Sequence, residues 1–423
     1  MRRLLLSTFI AGALAATMPA IWTAAGADDA KPLAGKSITV LMPSPQGANI
    51  AAEFEKATGI HVDLQTLNWD DIRPKLVTAL IAGTPPADVT EFDWSWTGQF
   101  SAADWYLPLN DVIDADTVAD IGPAKIFTVN GQLLGVPYTN DFRVMLVNTK
   151  HFADAGITKM PTTLDELVAD AKQIKAKGIT KYPLGLPLSP TEGASTSWYL
   201  LTKAFGGDLF DKDFKPLFLD KDSAGHKALA FELMLLKEGL VDPASTGLKD
   251  SQINEDMFAN GIVSVMISGE PGRLGSFNDP KNSKVAGQIG AIMVPTVNGK
   301  TRSFGLPEAL GIPKVSPNRD AAIAFVKWFT SKEFQEENYA NGALPTRTSA
   351  LSALNDQKKL ISGEALVGES TFVEPLFAQG TPEWYPAFSS AVNTAINSAA
   401  KGQITVDQAM QNIADGAKKA MAQ

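Results

Sequence analysis

The amino-acid sequence predicts an α/β fold in which helices alternate with the strands of a mixed, mainly parallel sheet. Between residues 37 and 93, three β-branched, apolar runs are separated by two segments whose apolar residues recur at helical spacing. Strand-like and helical segments continue to alternate after residue 140. The chain of 423 residues is also long enough for two domains of ordinary size.

The first elements follow the order β-α-β-α-β. The first predicted strand is SITVLM at 37–42, and the helix after it spans 47–58 and ends at Gly59. IHVDLQTL and ADVTEF are the second and third predicted strands. The helix between them contains Pro74, close enough to its start to be tolerated. In both helices the apolar residues share one face: Ile50, Phe54 and Ala57 in the first, and Ile72, Leu76, Ala79 and Leu80 in the second.

The later segments carry similar signals. GQLLGVPY predicts a hairpin that leads into a strand, RVMLVN. A helix is expected to begin at Thr163, where Thr163 and Glu166 can form a capping box, and to end at Gly178. The strand-like runs GIVSVMIS and IGAIMVP flank a loop at 268–276. Further helices are predicted in SPNRDAAIAFVKWFTS and at 224–238, 251–260, 387–400 and 405–420.

The first 27 residues have the pattern of a secretory signal peptide: two arginines, an apolar run and Ala25-Gly26-Ala27 at the expected cleavage site. The chain contains no cysteine, so no thiol is available at that site to carry a lipid. We therefore expect a periplasmic protein without a membrane anchor. The formal net charge of −9 argues against nucleic acid and anionic membranes as partners.

Two loops leave the carboxyl ends of predicted strands with side chains suited to binding. The stretch EFDWSWTGQF places Asp93, Trp94 and Trp96 between the third strand and a helix. The loop PSPQG follows the first strand and contains Ser44 and Gln46. Because parallel sheets bind ligands beyond the carboxyl ends of their strands, both loops are expected on the binding edge.

Nine short segments occur in an order that resembles family 1 extracellular solute-binding proteins. They are FEKATGIHVDL, AGTPPADV, VNGQLLGVPY, LVNTKHFADAGI, PTTLDELVADAKQIKAKG, GIVSVMISG, AFVKWFTSKEFQ, GALPTR and KGQITVDQAM. Together they extend over nearly all of the chain after residue 27. Members of this family are carbohydrate-binding receptors of ABC importers.

The resemblance implies the type II periplasmic binding protein fold, in which two α/β lobes are joined by hinge strands. The N-terminal lobe would comprise 28–140 and 296–347, and the C-terminal lobe 141–295 and 348–423. A sugar would be held between the lobes, hinge closure would enclose it, and the closed form would dock on the membrane permease. The resemblance also implies a monomer that binds without catalysis and needs no cofactor.

A sugar presents flat CH patches and a rim of hydroxyls, which require aromatic faces and hydrogen-bond acceptors. Asp93, Trp94 and Trp96 meet this requirement, although the family's acidic position in this loop aligns with Ser95. Asp141, in the segment PYTNDFR, falls on a family position that often carries an acidic sugar contact. Its neighbours in that segment are further candidates: Tyr138 and Asn140.

In the loop SGEPGRLGS the aromatic residue of the family is absent, and Glu270 and Arg273 stand near its position. Arg273 could bind an acidic group of the ligand or pair with Glu270, and the ion pair is the preferred interpretation. Trp105 and Trp328 lie at amphipathic positions and are predicted to be structural. Further candidates, from loops that line the cleft in relatives or lie near a lobe crossing, are Thr196, Trp198, Glu308 and Trp384.

Other kinds of function were weighed against sugar binding. A secreted glycosidase also combines aromatic rings with two carboxylates, for which Asp93 and Asp141 would be candidates. The same fold could serve a polyol, an acidic sugar or a polyamine. No metal site is predicted, because the chain has no cysteine and its three histidines are scattered: His61, His151 and His226.

Overall fold

The computed structural model of the protein describes residues 31–43, 49–250, 252–339, 343–378 and 380–422. Its strands are β1 (Ser37–Met42), β2 (His61–Thr66), β3 (Val89–Asp93), β4 (Thr128–Val129), β5 (Gln132–Leu133), β6 (Val136–Pro137), β7 (Val144–Asn148), β8 (Leu184–Gly185), β9 (Val265–Gly269), β10 (Ile289–Ile292), β11 (Ser303–Phe304), β12 (Glu308–Gly311) and β13 (Val373–Glu374).

Helices fill most of the intervals between these strands. They are α1 (Ile50–Thr58), α2 (Trp69–Ile81), α3 (Thr97–Ala102), α4 (Ala115–Asp120), α5 (Thr149–Ala155), α6 (Leu164–Ala176), α7 (Glu192–Ala204), α8 (Ala224–Lys237), α9 (Leu274–Phe277), α10 (Arg319–Phe329), α11 (Lys332–Asn338), α12 (Thr348–Asp356), α13 (Gly363–Ser370), α14 (Tyr385–Ala400) and α15 (Val406–Met421). Short 3₁₀ helices occupy Trp94–Trp96, Gly122–Phe127, Pro243–Thr246 and Pro271–Arg273, and a π-helix occupies Gln252–Phe258.

The first sheet confirms the β-α-β-α-β prediction. Its strand order is β2-β1-β3-β12-β6, and β1 pairs in parallel with both β2 and β3. The predicted alternation explains this order, since each helix returns the chain to the same end of the sheet. β12 arrives much later in the sequence and runs antiparallel between β3 and β6. The sheet is therefore mixed, with its parallel part formed by the first strands of the chain.

The second sheet has the order β10-β7-β9-β8. Only β8 and β9 pair in parallel, whereas β7 runs antiparallel to both β9 and β10. Parallel pairing therefore does not dominate this sheet as the sequence suggested. Adjacent strands can pair in either direction when a long connection separates them, and alternating apolar composition does not specify which.

Local signals explain where several helices begin. Thr163 accepts a hydrogen bond from the amide of Glu166, whose carboxylate accepts one from the Thr163 amide, so the predicted capping box is present. Helix α1 ends at Gly59, which has a positive φ of 77°. The helix predicted at 251–260 is instead the π-helix, in which each turn holds more residues than in an α-helix.

The two sheets use different parts of the chain. Strands of the first come from 37–137 and 308–311, and strands of the second come from 144–292. The C-terminal helices α14 and α15 pack against each other and against α7 and α8. Trp105 and Trp328 pack against the hydrophobic core as predicted. Among the described residues, no helix is both long and apolar enough to cross a membrane.

Candidate ligand-binding site

A cavity of about 780 Å³ lies at the facing ends of the two sheets. Asp93 at the end of β3 pairs with Glu308 at the start of β12, and both line the cavity. From the second sheet, the cavity is lined by Ser268 near the end of β9 and by Glu270 directly after it. The cavity therefore occupies the position beyond the strand ends that the topology predicts. Its lining includes four aromatic residues: Trp69, Trp94, Trp96 and Tyr385.

The tryptophan pair is held by a local cap. Asp93 accepts hydrogen bonds from the Ser95 amide at 2.8 Å and from the Ser95 hydroxyl, and so caps the 3₁₀ helix that carries both indoles. Trp94 and Trp96 are 6% and 2% exposed, yet both line the cavity. A small part of each indole therefore lies at the cavity, while most of the ring is fixed by packing.

Other rings extend the aromatic wall from both sides. The ring of Trp94 lies 4.7 Å from that of Tyr385 in an edge-to-face arrangement, and Trp96 lies 5.7 Å from Trp69. Trp69 is 42% exposed, which is unusual for an indole within a cavity wall. An exposed aromatic face at this position is well placed to cover the CH face of a ligand.

An ion-pair cluster forms the opposite wall. Arg143 lies 3.2 Å from Asp141 and 3.2 Å from Glu270, and Arg273 lies 2.7 Å from Glu270. The predicted Glu270–Arg273 ion pair is therefore present. Burial raises the pKa of Asp141 more than Arg143 lowers it. Burial also acts to raise the pKa of Glu270, but Arg143 and Arg273 outweigh it and hold this pKa below the usual range.

Tyr138 supports the site from behind and does not line the main cavity. Its hydroxyl lies 2.7 Å from Glu91 and 2.9 Å from Glu308. Burial raises the pKa of both carboxyls, that of Glu91 well above its ordinary value. The phenol is 3% exposed and its hydroxyl meets two carboxyl groups, so Tyr138 lies behind the cavity lining and its contact with ligand stays a prediction. It positions Glu308, which does line the cavity.

Asn140 also lies away from the main cavity. Its amide donates to the carbonyl of Pro345 at 2.9 Å. It lines an adjoining cavity of about 240 Å³, which shares Glu308 and the Asp141–Glu270–Arg273 cluster with the larger one. Asp141 is thus the member of the PYTNDFR segment that faces both spaces. Ser44 and Gln46 lie outside the described residues.

Trp198 and Trp384, two of the expected ligand contacts, lie outside the cavity lining in this structure and pack against other parts of the protein. Trp198 is fully buried and its indole nitrogen donates to the carbonyl of Gly225 at 2.8 Å. It stands two residues beyond Thr196, which does line the cavity, and residues two apart point to different sides of a helix. Trp384 packs within 6 Å of four phenylalanine rings, whereas its neighbour Tyr385 turns into the cavity.

Several lining residues carried no sequence signal. Arg73 lies on α2, and Arg143 is the last residue of the PYTNDFR segment that drew attention only to Asp141 and its neighbours. Glu192 accepts hydrogen bonds from the hydroxyls of Tyr385 and Ser389. Asp250 accepts from the Thr191 hydroxyl at 2.7 Å and the Gly193 amide at 3.0 Å. Each becomes a site residue only through contacts distant in sequence.

The two sides of the cavity also touch directly near Gly98. A Cβ atom added to this glycine would lie 2.2 Å from the carbonyl oxygen of Thr381 and 2.7 Å from the amide nitrogen of Glu383. Gly98 belongs to α3, which follows the tryptophan pair, and the segment with Thr381 leads to Tyr385. The absence of a side chain at Gly98 therefore permits the backbones on either side of the cavity to meet.

Among the described residues, no group of three or more histidine, aspartate or glutamate side chains is arranged to hold a metal ion. The carboxyls of the cavity are instead engaged by hydroxyl, amide and guanidinium donors. What this lining can offer a ligand is therefore aromatic surface and hydrogen bonds.

Asp93 should make stability depend on pH. Burial raises the pKa of Asp93 to about 8 despite the Ser95 hydrogen bonds. The pKa of this carboxyl in the unfolded chain is about 4, so the folded state binds the proton more tightly. Protonated Asp93 therefore contributes to the free energy of unfolding at low pH, and this contribution is lost as pH rises from about 4 to about 8. We expect Asp93→Asn to be more stable than the parent protein at pH 8, by at least about 1.4 kcal/mol, and to lose this advantage towards pH 4. Urea unfolding at both pH values measures the difference, and an advantage that grows at low pH would contradict it.

The fold and the cavity define a two-lobe solute-binding protein. Residues 44–336 match the family described as bacterial extracellular solute-binding protein, so the chain belongs to that family. It is 27% identical over 404 residues to the diacetylchitobiose binding protein DasA of Streptomyces coelicolor, covering 92% of this chain and 90% of that protein. It is also 27% identical over 317 residues to the probable amino-acid ABC transporter periplasmic-binding protein y4oP of Sinorhizobium fredii, covering 72% and 70%.

A solved structure shows the same architecture. The solute-binding protein of an ABC transporter from Thermotoga lettingae, bound with α-D-tagatose, superposes with a TM-score of 0.77 at 25% identity. The alignment covers 91% of this chain and 100% of that one. The type II two-lobe fold expected from the sequence is therefore confirmed.

Proposed function

We propose that this protein is the periplasmic receptor of an ABC importer and that it captures a carbohydrate or sugar derivative in the cavity described above. One observation carries the proposal: four aromatic rings and the carboxyl groups of Asp93, Asp141 and Glu308 line the same cavity. Aromatic faces cover the apolar patches of a sugar, and carboxylate oxygens accept its hydroxyl hydrogens. The ligand leaves unaltered, because the family consists of solute-binding proteins.

Capture would involve hinge closure of two lobes. We propose that the N-terminal lobe comprises 28–140 with 296–347 and the C-terminal lobe 141–295 with 348–423. The first sheet and the tryptophan pair fall in the N-terminal lobe, and the second sheet, the ion-pair cluster and Tyr385 fall in the C-terminal lobe. A ligand between them would gain contacts from both sides only when the lobes close, which shifts the population towards the closed form. That form would dock, as a monomer, on the membrane permease.

The names of relatives support a polyhydroxylated ligand without choosing one. One relative is named for diacetylchitobiose and the Thermotoga protein was solved with tagatose, whereas another relative is named as an amino-acid receptor. Titration calorimetry of residues 28–423 against hexoses, disaccharides, polyols, sugar acids and amino acids discriminates among these classes. Binding confined to amino acids would refute the proposal. Release of altered sugar after incubation would indicate an enzyme.

Replacing Trp94 by alanine should weaken binding of the sugar found in this way. Loss of the indole face removes apolar contact worth about 1.5 to 3 kcal/mol when fully buried, so affinity should fall by roughly ten- to a hundredfold. Trp328→Phe serves as a control, because Trp328 packs against Phe54 and Phe334 away from the cavity. Equal affinities of Trp94→Ala and the parent protein for the sugar would show that the Trp94 indole does not contact the ligand.

A further inference from the structure

The three arginines of the cavity are not equivalent. Arg143 and Arg273 are ion-paired with Asp141 and Glu270. Arg73 forms no ion pair within the described part of the chain. Its Nη2 donates to the side-chain oxygen of Gln99 at 2.7 Å, a neutral partner. Its Nε is shut off from solvent and has no hydrogen-bond partner there.

The surroundings of Arg73 make this incomplete pairing costly. The residue lines the cavity together with Trp69, Trp94 and Trp96, which replace water by apolar surface. Burial lowers the pKa of Arg73 and outweighs the electrostatic effect of Asp93. Arg73 is half-buried, and a charged group partly withdrawn from water without a matching charge is unfavourable. Its guanidinium offers a planar fork suited to a carboxylate.

The carboxyl groups of the cavity are occupied elsewhere. Asp93 is held by Ser95, and its raised pKa keeps it largely protonated at neutral pH. Glu308 is bound by Tyr138, and Glu192 and Asp250 accept from neighbouring hydroxyl and amide groups, as described above. None of these carboxylates serves as the counter-ion of Arg73.

We propose that the captured solute is a sugar acid, whose polyhydroxylated body lies along the aromatic wall while its carboxylate binds Arg73. The inference rests on the proposed function and narrows its substrate class. Arg273, the other candidate for an acidic group, is engaged with Glu270. The ligand anion would supply the missing charge and bind the guanidinium in a charge-assisted hydrogen bond stronger than one to a neutral hydroxyl.

The test compares related sugars that carry a negative charge, no charge or a positive charge. Calorimetry would measure glucuronate, glucose and glucosamine, and the same three derivatives of galactose, against the parent protein and the variants Arg73→Gln, Arg73→Lys and Arg319→Gln. Arg319 is a control of the same type, since it lies on α10 outside the cavity lining and donates to the Lys314 carbonyl. Thermal unfolding establishes that each variant is folded.

We expect at least one acid to bind the parent protein at least about tenfold more tightly than its neutral sugar. Arg73→Gln should abolish this preference: the affinity for the acid should fall at least about tenfold more than the affinity for the neutral sugar. Arg73→Lys should keep part of the preference, because the charge remains without the fork, and Arg319→Gln should keep all of it.

The inference would be overturned by equal binding of acid and neutral sugar, by strongest binding of the amine, or by an equal loss for all ligands in Arg73→Gln. The cavity lining contains more carboxyl groups than arginines, so an amino sugar is the main alternative to a sugar acid. Binding of neutral sugars alone would refute the inference that the solute is a sugar acid, but it would agree with the proposed function. Failure of every sugar, acid and polyol to bind would refute both.

Discussion

Replacement of Trp198 by alanine is expected to lower the free energy of unfolding by about 3 to 5 kcal/mol, the usual cost of truncating a fully buried tryptophan. The indole is 0% exposed and packs against Phe218, with ring centroids 5.4 Å apart. Its nitrogen donates to the Gly225 carbonyl at 2.8 Å. Truncation would leave a cavity between α7 and α8 and remove the hydrogen bond to the Gly225 carbonyl. Urea unfolding measures the loss.

The same residue distinguishes a structural role from ligand contact. Trp198→Phe keeps most of the packing volume and loses the hydrogen bond, so it should be destabilised by less than the alanine variant while binding ligand as the parent protein does. Loss of affinity in Trp198→Phe with unchanged stability would show that the indole reaches the ligand. Thr196→Val is the matched comparison on α7, because Thr196 does line the cavity.

Gly98→Ala is expected to weaken ligand binding by at least about fivefold. The added Cβ would lie 2.2 Å from the Thr381 carbonyl oxygen, closer than any real contact, and both neighbours are backbone atoms that cannot rotate away. Forcing such an atom into a packed contact costs typically about 1 to 3 kcal/mol, or roughly five- to 150-fold in affinity. The cost falls on closure if, as proposed, the two backbones belong to different lobes.

A matched glycine controls for the substitution itself. Gly122→Ala lies in the same proposed lobe, where the nearest atom to its Cβ would be the Thr348 hydroxyl at 3.8 Å, an ordinary contact. Calorimetry gives the affinities, and small-angle scattering with and without ligand reports closure. Gly98→Ala should show a smaller ligand-induced compaction than Gly122→Ala. Undiminished affinity and compaction in Gly98→Ala would contradict the assignment of this contact to the closed state.

Features carried by local sequence were predicted well. The alternation of strands and helices between residues 37 and 93 predicts the parallel part of the first sheet, because each helix returns the chain to the end of the sheet where the previous strand began. The same reasoning places Asp93, Trp94 and Trp96 at the cavity, since they follow directly on β3. The capping box at Thr163 also depends only on residues three apart.

Features that depend on distant contacts were not predictable in this way. Trp198 and Thr196 share one helix, and only the packing of α7 decides which of them faces the cavity. The sequence does not distinguish Arg73 from Arg143 and Arg273. Arg143 and Arg273 form ion pairs with a carboxylate, whereas Arg73 donates to the neutral side chain of Gln99. The antiparallel strands β7 and β12 likewise pair with segments far away in the chain.

The placement of Tyr138 between Glu91 and Glu308 restricts where hydrogen atoms can sit. A phenol owns a single hydrogen, so it can donate to only one of two carboxyl oxygens lying 2.7 and 2.9 Å away. Both contacts are hydrogen bonds only when one carboxyl is itself the donor. The core therefore retains an acid hydrogen that reaches, through one phenol oxygen, from the interior strand β3 to the wall of the ligand cavity. Glu308 can be fully ionised only while that hydrogen resides on Glu91 or leaves the protein, so the burial of Glu91 influences the charge at the cavity wall.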